Sequence, residues 1–337
     1  MRSSVSPRWM SLLCCGLLAG PAAAQSTASS TPQHKLKPED DVSLIGNRKV
    51  GGGVNFYSLQ KEIALGRGLA DEVEHNSKIV QDPVVNEYIN RLAQNLVRNS
   101  DAKVPFTVKV VDDDSINAFA LPGGFFFVNT GLILASQEED QLAGAMAHEI
   151  AHVCARHATH NASKGELLQL ATLPIEIAAG GGLAGLATQN VLGLLIPLKY
   201  TQFTRAAEAE ADWLGVQYMY KAGYDPQGLV ESFRLIEDLE KKKPGLISRA
   251  FASHPQTPDR VAATQREIAT ILPPRPDYLV NTSDFLTVKA RLAKLLKKGE
   301  LGRAGSGPAP AASAPPAAQP PVLARPPVLA RPPAPPR

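Results

Sequence analysis

The segment from Glu138 to Thr159 narrows the possible folds of this chain more than any other. Leu142, Ala145, Met146, Ile150 and Val153 give it the apolar content of a buried helix, yet His148, Glu149 and His152 stand in the same run. Burying two histidines without a partner is costly, so a helix of this composition needs something to engage them. Residues four apart on a helix project to one side, which brings the imidazoles of His148 and His152 to a common point with Glu149 beside them. His148-Glu149-Ile150-Ala151-His152 has the spacing of the H-E-x-x-H zinc motif. In that motif the histidines hold a tetrahedral zinc and the glutamate takes a proton from water at the metal.

A hydrolytic zinc needs a third protein ligand and one open position. The extended form of the motif fails, because its glycine and third histidine would fall at Ala155 and Ala158. On a continuous helix His157 and His160 are rotated away from the 148/152 face, and both are expected in solvent. The best source of the third ligand is Arg205–Asp212, whose Glu208 lies 56 residues past His152. Glu208 and Asp212 are four apart and share a face, while Glu210 points nearly opposite. This predicts Glu208 as ligand, Asp212 as the acceptor that orients a histidine, and Glu210 in solvent. Cys154, two residues beyond His152, faces away and reads as a small buried hydrophobe.

The ends are different in kind. Residues 1–24 carry Arg2 and Arg8, an apolar run from Trp9 to Gly20, and Pro21-Ala22-Ala23-Ala24 ahead of polar Gln25-Ser26-Thr27. That order predicts a signal peptide cleaved after Ala24, and so a periplasmic or otherwise exported protein. The apolar run is shorter than the roughly 20 residues needed to span a bilayer. Leu13 and Cys14 stand where lipid attachment at Cys14 or Cys15 would want a small residue. After cleavage only Cys154 remains, so stability comes from the core or a metal and not from an internal disulfide.

Residues 301–337 read as a disordered Pro/Ala-rich tail, holding twelve of the 28 prolines and repeating Pro-Pro-Val-Leu-Ala-Arg at 320–325 and 326–331. Such a segment has no core to bury and prefers extended polyproline II; the sequence does not name its partner. The formal net charge of +3 belongs to the ends, because residues 25–302 hold 29 basic against 32 acidic side chains. That balance excludes a nucleic-acid binder.

Between the ends, residues 25–54 are expected as a flexible polar lead-in, and residues 55–300 as one domain. Apolar spacings predict helices at 58–76, 82–99, 138–159, 204–222, 226–242, 257–271 and 284–298. Phe106–Val111 and Phe125–Val128 read as strands of a small sheet. The fold class is therefore α+β, mostly helical, with the sheet packed near the helix that carries the histidines. Residues 177–198 carry no charge, but five glycines and Pro197 favour a mobile helical hairpin over peripheral membrane contact.

Taken together, several stretches resemble the gluzincin zinc metalloproteases of the CAAX prenyl endopeptidase and periplasmic β-barrel-assembly-enhancing protease type. The carriers are Asn55–Leu59, Asn117–Gly124, Val128–Leu132, Glu138–His157 around His148-Glu149-Ile150-Ala151-His152, Arg205–Asp212, and Ser253-His254-Pro255, spanning roughly residues 55–270. The resemblance implies a zincin-type domain with His148, His152 and Glu208 as ligands of one Zn2+ per chain and Glu149 as general base. It implies that Gly123–Val128 is the edge strand on which an extended substrate adds. It also places His254 near the site, either donating to the oxyanion of the intermediate or occupying the open zinc position as a brake. Thr204 stands where the family often has Ser. No 34-residue helical repeat follows, and no set of membrane spans.

The function expected from these readings is an exported zinc metalloendopeptidase that hydrolyses unfolded or misassembled envelope proteins, with Glu149 activating water. The rival is a chaperone-like or scaffolding protein whose zinc-bound site stays mostly closed.

Overall fold

A computed structural model describes residues 37–178, 203–242, 254 and 258–298. The expected signal segment, the Pro/Ala tail and nearly all of the uncharged stretch 177–198 lie outside these residues. No described helix is long and apolar enough to cross a membrane.

Two helices open the domain, α1 (Leu59–Asn76) and α2 (Pro83–Arg98). Each starts on a side chain that accepts from a free backbone N–H of the first turn: Ser58 from Lys61, and Asp82 from Val85, with Pro83 at the first helical position. Strands β1 (Thr107–Val111), β2 (Ala118–Leu121) and β3 (Phe125–Asn129) follow, then α3 (Thr130–Ala135), α4 (Glu139–Cys154) and α5 (His157–Ala178). The remaining helices are α6 (Arg205–Ala222), α7 (Gln227–Lys242), α8 (Pro258–Ile271) and α9 (Ser283–Lys298). Thr204, the residue that departs from the family's usual Ser, caps α6 by accepting from the Ala207 N–H.

The sheet has the order β1-β3-β2, with β1 parallel and β2 antiparallel to β3. The stretch expected to be the edge is therefore the middle strand. Its backbone groups are committed on both sides, so no extended peptide can add there. Every residue of β3 is buried, and alternate side chains serve two faces: Phe126 and Val128 enter the main core, while Phe125 and Phe127 pack with Ala70 and Val111. On the outer side of β1, the Val80 N–H donates to Val110 and the Asp112 N–H to Lys78. Among the described residues no strand pairs with the outer side of β2, a strand that went unnoticed in the sequence because it is four residues long.

All sixteen residues of α4 are buried. It packs on β2, on α6 and on α7. The α4–α7 crossing is closed by two glycines: a Cβ on Gly144 would lie 2.6 Å from Leu229 Cα, and one on Gly228 would lie 2.6 Å from the Asp140 carbonyl carbon.

Two further expectations need correction. The single helix 138–159 is two, because Arg156 adopts φ +57° and breaks it between Cys154 and His157. That strained residue is held by its own side chain, which donates to Glu62 Oε2 at 2.6 Å and to the Tyr57 carbonyl at 2.6 Å. The lead-in is also not loose from Pro38 onward. Ile45 joins the core, and Arg48 is buried in an ion pair with Asp101 at 2.9 Å. Asp101 also accepts from the Gly46 N–H and the Tyr218 hydroxyl, so Asp101→Ala leaves three donors, one of them charged, without an acceptor. The expected loss is about 3–5 kcal/mol, read by urea denaturation. A loss below about 1 kcal/mol would mean the lead-in is not part of the fold.

Candidate metal centre

Helix α4 carries His148, Glu149 and His152 in its last two turns, and α6 lies across it close enough that a Cβ on Gly215 would come 3.4 Å from the His148 backbone nitrogen. The approach sets Asp212 and Glu208, about one and two turns nearer the start of α6, against the histidines. His254 completes the group. The six residues singled out from the sequence are thus brought to one place, and each is at most 7% exposed.

The tautomers follow from the outer partners. His148 Nδ1 lies 2.9 Å from Asp212 Oδ1, a carboxylate oxygen that favours the proton on Nδ1 and so leaves a lone pair at Nε2 turned inward. His152 Nδ1 lies 2.9 Å from His157 Nδ1, and His157 Nε2 lies 3.3 Å from Glu210 Oε2. Read outward from the carboxylate, His157 donates to Glu210 and accepts from His152, whose Nε2 lone pair also points inward. The two Nε2 atoms are 3.1 Å apart, and each is 3.6 Å from a Glu208 oxygen.

Two lone pairs and a carboxylate facing one point without a donor between them repel. The separations bracket the roughly 3.4 Å between donor atoms on a tetrahedral zinc with bonds of about 2.0–2.1 Å. His148, His152 and Glu208 therefore fit a metal by geometry and by donor type. Burial opposes charge on His148, but the carboxylates of Asp212 and Glu208 beside it prevail and raise its pKa to about 9. Burial and the neighbouring His148 hold His152 well below its ordinary value. Burial also raises Glu208, but His148 and His254 outweigh it and hold the carboxyl far below the usual range. Burial raises the pKa of Glu149, against the lowering influence of His254, His148 and the Ala120 backbone of β2.

Three contacts were not foreseen. Arg260, on α8, donates to both oxygens of Asp212 at 2.7 and 2.8 Å and places Nη1 2.9 Å from Glu208 Oε2, so one guanidinium locks both carboxylates. His157, expected in solvent, is 5% exposed and reaches His152 because the Arg156 break turns it back toward the site. Glu210, also expected in solvent, accepts from the Gly51 N–H at 2.8 Å and from His157. His160 bonds the Val54 carbonyl instead. Phe203 stacks on the His152 ring at 4.3 Å. Cys154 points to Ser100, and burial pushes its thiol up to about 12, an unreactive value.

Residues 81–268, more than half of the chain, match the profile of peptidase family M48. The chain belongs to peptidase family M48. Relatives include the beta-barrel assembly-enhancing protease of Yersinia pestis, 28% identical over 83% of this chain and 57% of that protein. Metalloprotease LoiP of Escherichia coli K12 is 31% identical over 62% of this chain and 82% of its own length. The mitochondrial metalloendopeptidase OMA1 of Schizosaccharomyces pombe is 32% identical over 52% of this chain and 50% of that protein. The chain spans about half the length of the beta-barrel assembly-enhancing proteases it matches.

Within this M48 domain, outer partners that fix ligand orientation typically contribute 10–100-fold to metal affinity. Arg260→Gln is therefore expected to release zinc to a chelating dye roughly tenfold or more faster than wild type. His157→Ala is expected to do so to a lesser degree. Release rates equal to wild type in both variants would remove these residues from any role at the site.

Proposed function

We propose that this M48 protein is an exported zinc metalloendopeptidase, acting on unfolded or misassembled envelope polypeptides. The observation that carries the reading is a buried base beside a fitting metal cluster: Glu149 is 4% exposed, next to the donors of His148, His152 and Glu208 and against the free side of β2. Export rests on the leader-like sequence at 1–24, and the substrate class on the printed names of the envelope relatives.

His148, His152 and Glu208 would hold the zinc, with Asp212, Arg260 and the His157–Glu210 pair fixing their orientation. When bound, zinc supplies Lewis acidity to the scissile carbonyl and the attacking water. Glu149 takes the proton of that water and passes it to the leaving amine. Burial raises its pKa, which makes it a stronger base than an exposed carboxylate. The free edge of β2, Ala118–Leu121, lies beside Glu149 and offers main-chain groups to an extended substrate, the role first expected of Gly123–Val128. Unfolded chains suit this mode because backbone hydrogen bonds need an extended segment and little side-chain identity.

One observation favours the second reading, a chaperone-like or scaffolding protein with a mostly closed site. His254 is 7% exposed and its Nδ1 stands 2.7 Å from Glu208 Oε1, so it crowds the position a substrate carbonyl would take. The same ring is placed to cap the metal or, displaced, to donate to the oxyanion.

Glu149→Gln is expected to keep its zinc and to lose at least about 100-fold in cleavage of an unfolded protein, measured by fragment appearance with and without chelator. Wild-type cleavage by this variant would end the mechanism. His254→Ala is expected to retain zinc while changing the cleavage rate. An increase fits a cap and a decrease fits an oxyanion donor, whereas unchanged kinetics would exclude both roles.

A further inference from the structure

The end of α4 opposite the histidines holds a second group of carboxylates that the peptidase reading does not use. Glu138, Asp140 and Glu231 each put a carboxylate oxygen within 4.8 Å of the other two. Asp140 is 2% exposed, and its Oδ1 is fully buried with no hydrogen-bond partner. Its neighbour Glu139 shows the contrast: equally buried, it accepts from the Tyr224 hydroxyl at 2.7 Å and from the Thr282 hydroxyl. Among the described residues Glu231 accepts only from the neutral Gln141 amide, at 3.3 Å. Among the described residues no Lys, Arg or His forms an ion pair with any of the three.

The start of a helix offers an anion about half a unit of positive charge, which suits one exposed carboxylate and falls far short of three. Asp225 adds a fourth negative group nearby, its Oδ1 engaged with the Gln227 N–H. We propose that Glu138, Asp140 and Glu231 bind a hard divalent cation of the calcium type, which clasps the first turn of α4 to α7. The donors are all oxygen, which selects against zinc and for calcium or magnesium. Calcium is favoured because it accepts irregular carboxylate geometry and sheds its waters readily, whereas magnesium demands a near-ideal octahedron and usually keeps several waters. Burial and the three neighbouring acids push Asp140 up to about 7, the response of a carboxylate that lacks a counterion. Because α7 crosses Asp140 at Gly228, the bound ion would hold the α4–α7 crossing at the end away from the zinc donors.

The test titrates the zinc-loaded full chain with calcium chloride in a calorimeter and follows thermal unfolding of the same samples. The expected result is one calcium per chain and a Tm higher by several degrees. Uptake should be at least tenfold weaker in Glu231→Gln and lost in Asp140→Asn, with zinc content unchanged and circular dichroism confirming the fold of each variant. No calcium uptake by the wild type at millimolar calcium would overturn the proposal, and so would wild-type uptake in either variant.

Discussion

The architecture depends on one electrostatic problem, the burial of His148, Glu149 and His152 in a helix with no exposed residue. Titratable groups in such a place persist only if each charge and lone pair has a partner. The surroundings supply them from four directions: Glu208 and Asp212 from α6, Arg260 from α8, His157 from the start of α5, and His254. Two inward imidazole lone pairs facing a carboxylate form a donor set that a cation relieves, and the neighbouring carboxylates raise the pKa of His148 in the same sense. Metal binding and the packing of α4 are thus parts of the same balance.

The positions that made this legible in the sequence are those whose meaning is local. A four-residue spacing on a helix fixes which side chains share a face, so His148/His152 and Glu208/Asp212 could be paired from numbers alone. Helix limits were similarly readable where capping chemistry marks them, at Ser58, Asp82 and Thr204. The central helix α4 was recognisable because its apolar residues had no polar face to alternate with.

What could not be read depends on backbone or long-range geometry with no local mark. Ala155-Arg156-His157 consists of residues compatible with a helix, and nothing in them announces a positive φ at Arg156; the cause is Glu62 and the Tyr57 carbonyl, almost a hundred residues earlier. That break converts His157 and Glu210 from presumed solvent groups into the chain that orients His152. Arg260 lies 48 residues past Asp212 in a segment with no motif, so its grip on both carboxylates emerges only in three dimensions. Strand order is of the same kind. Phe125–Val128 is the most strand-like run of the chain because it is the middle strand, buried on both faces, while the edge that can accept a peptide is the weaker Ala118–Leu121.

The central claim is that two histidines of α4 and one glutamate of α6 together hold a single zinc. Metal content of the purified full chain, measured after dialysis against a weak chelator in wild type and in Glu208→Gln, tests it most directly. About one zinc per wild-type chain and a near-total loss in the variant are expected, because two imidazoles alone leave the ion short of its third protein donor. Stoichiometric zinc retained by Glu208→Gln, or none in the wild type, would contradict it.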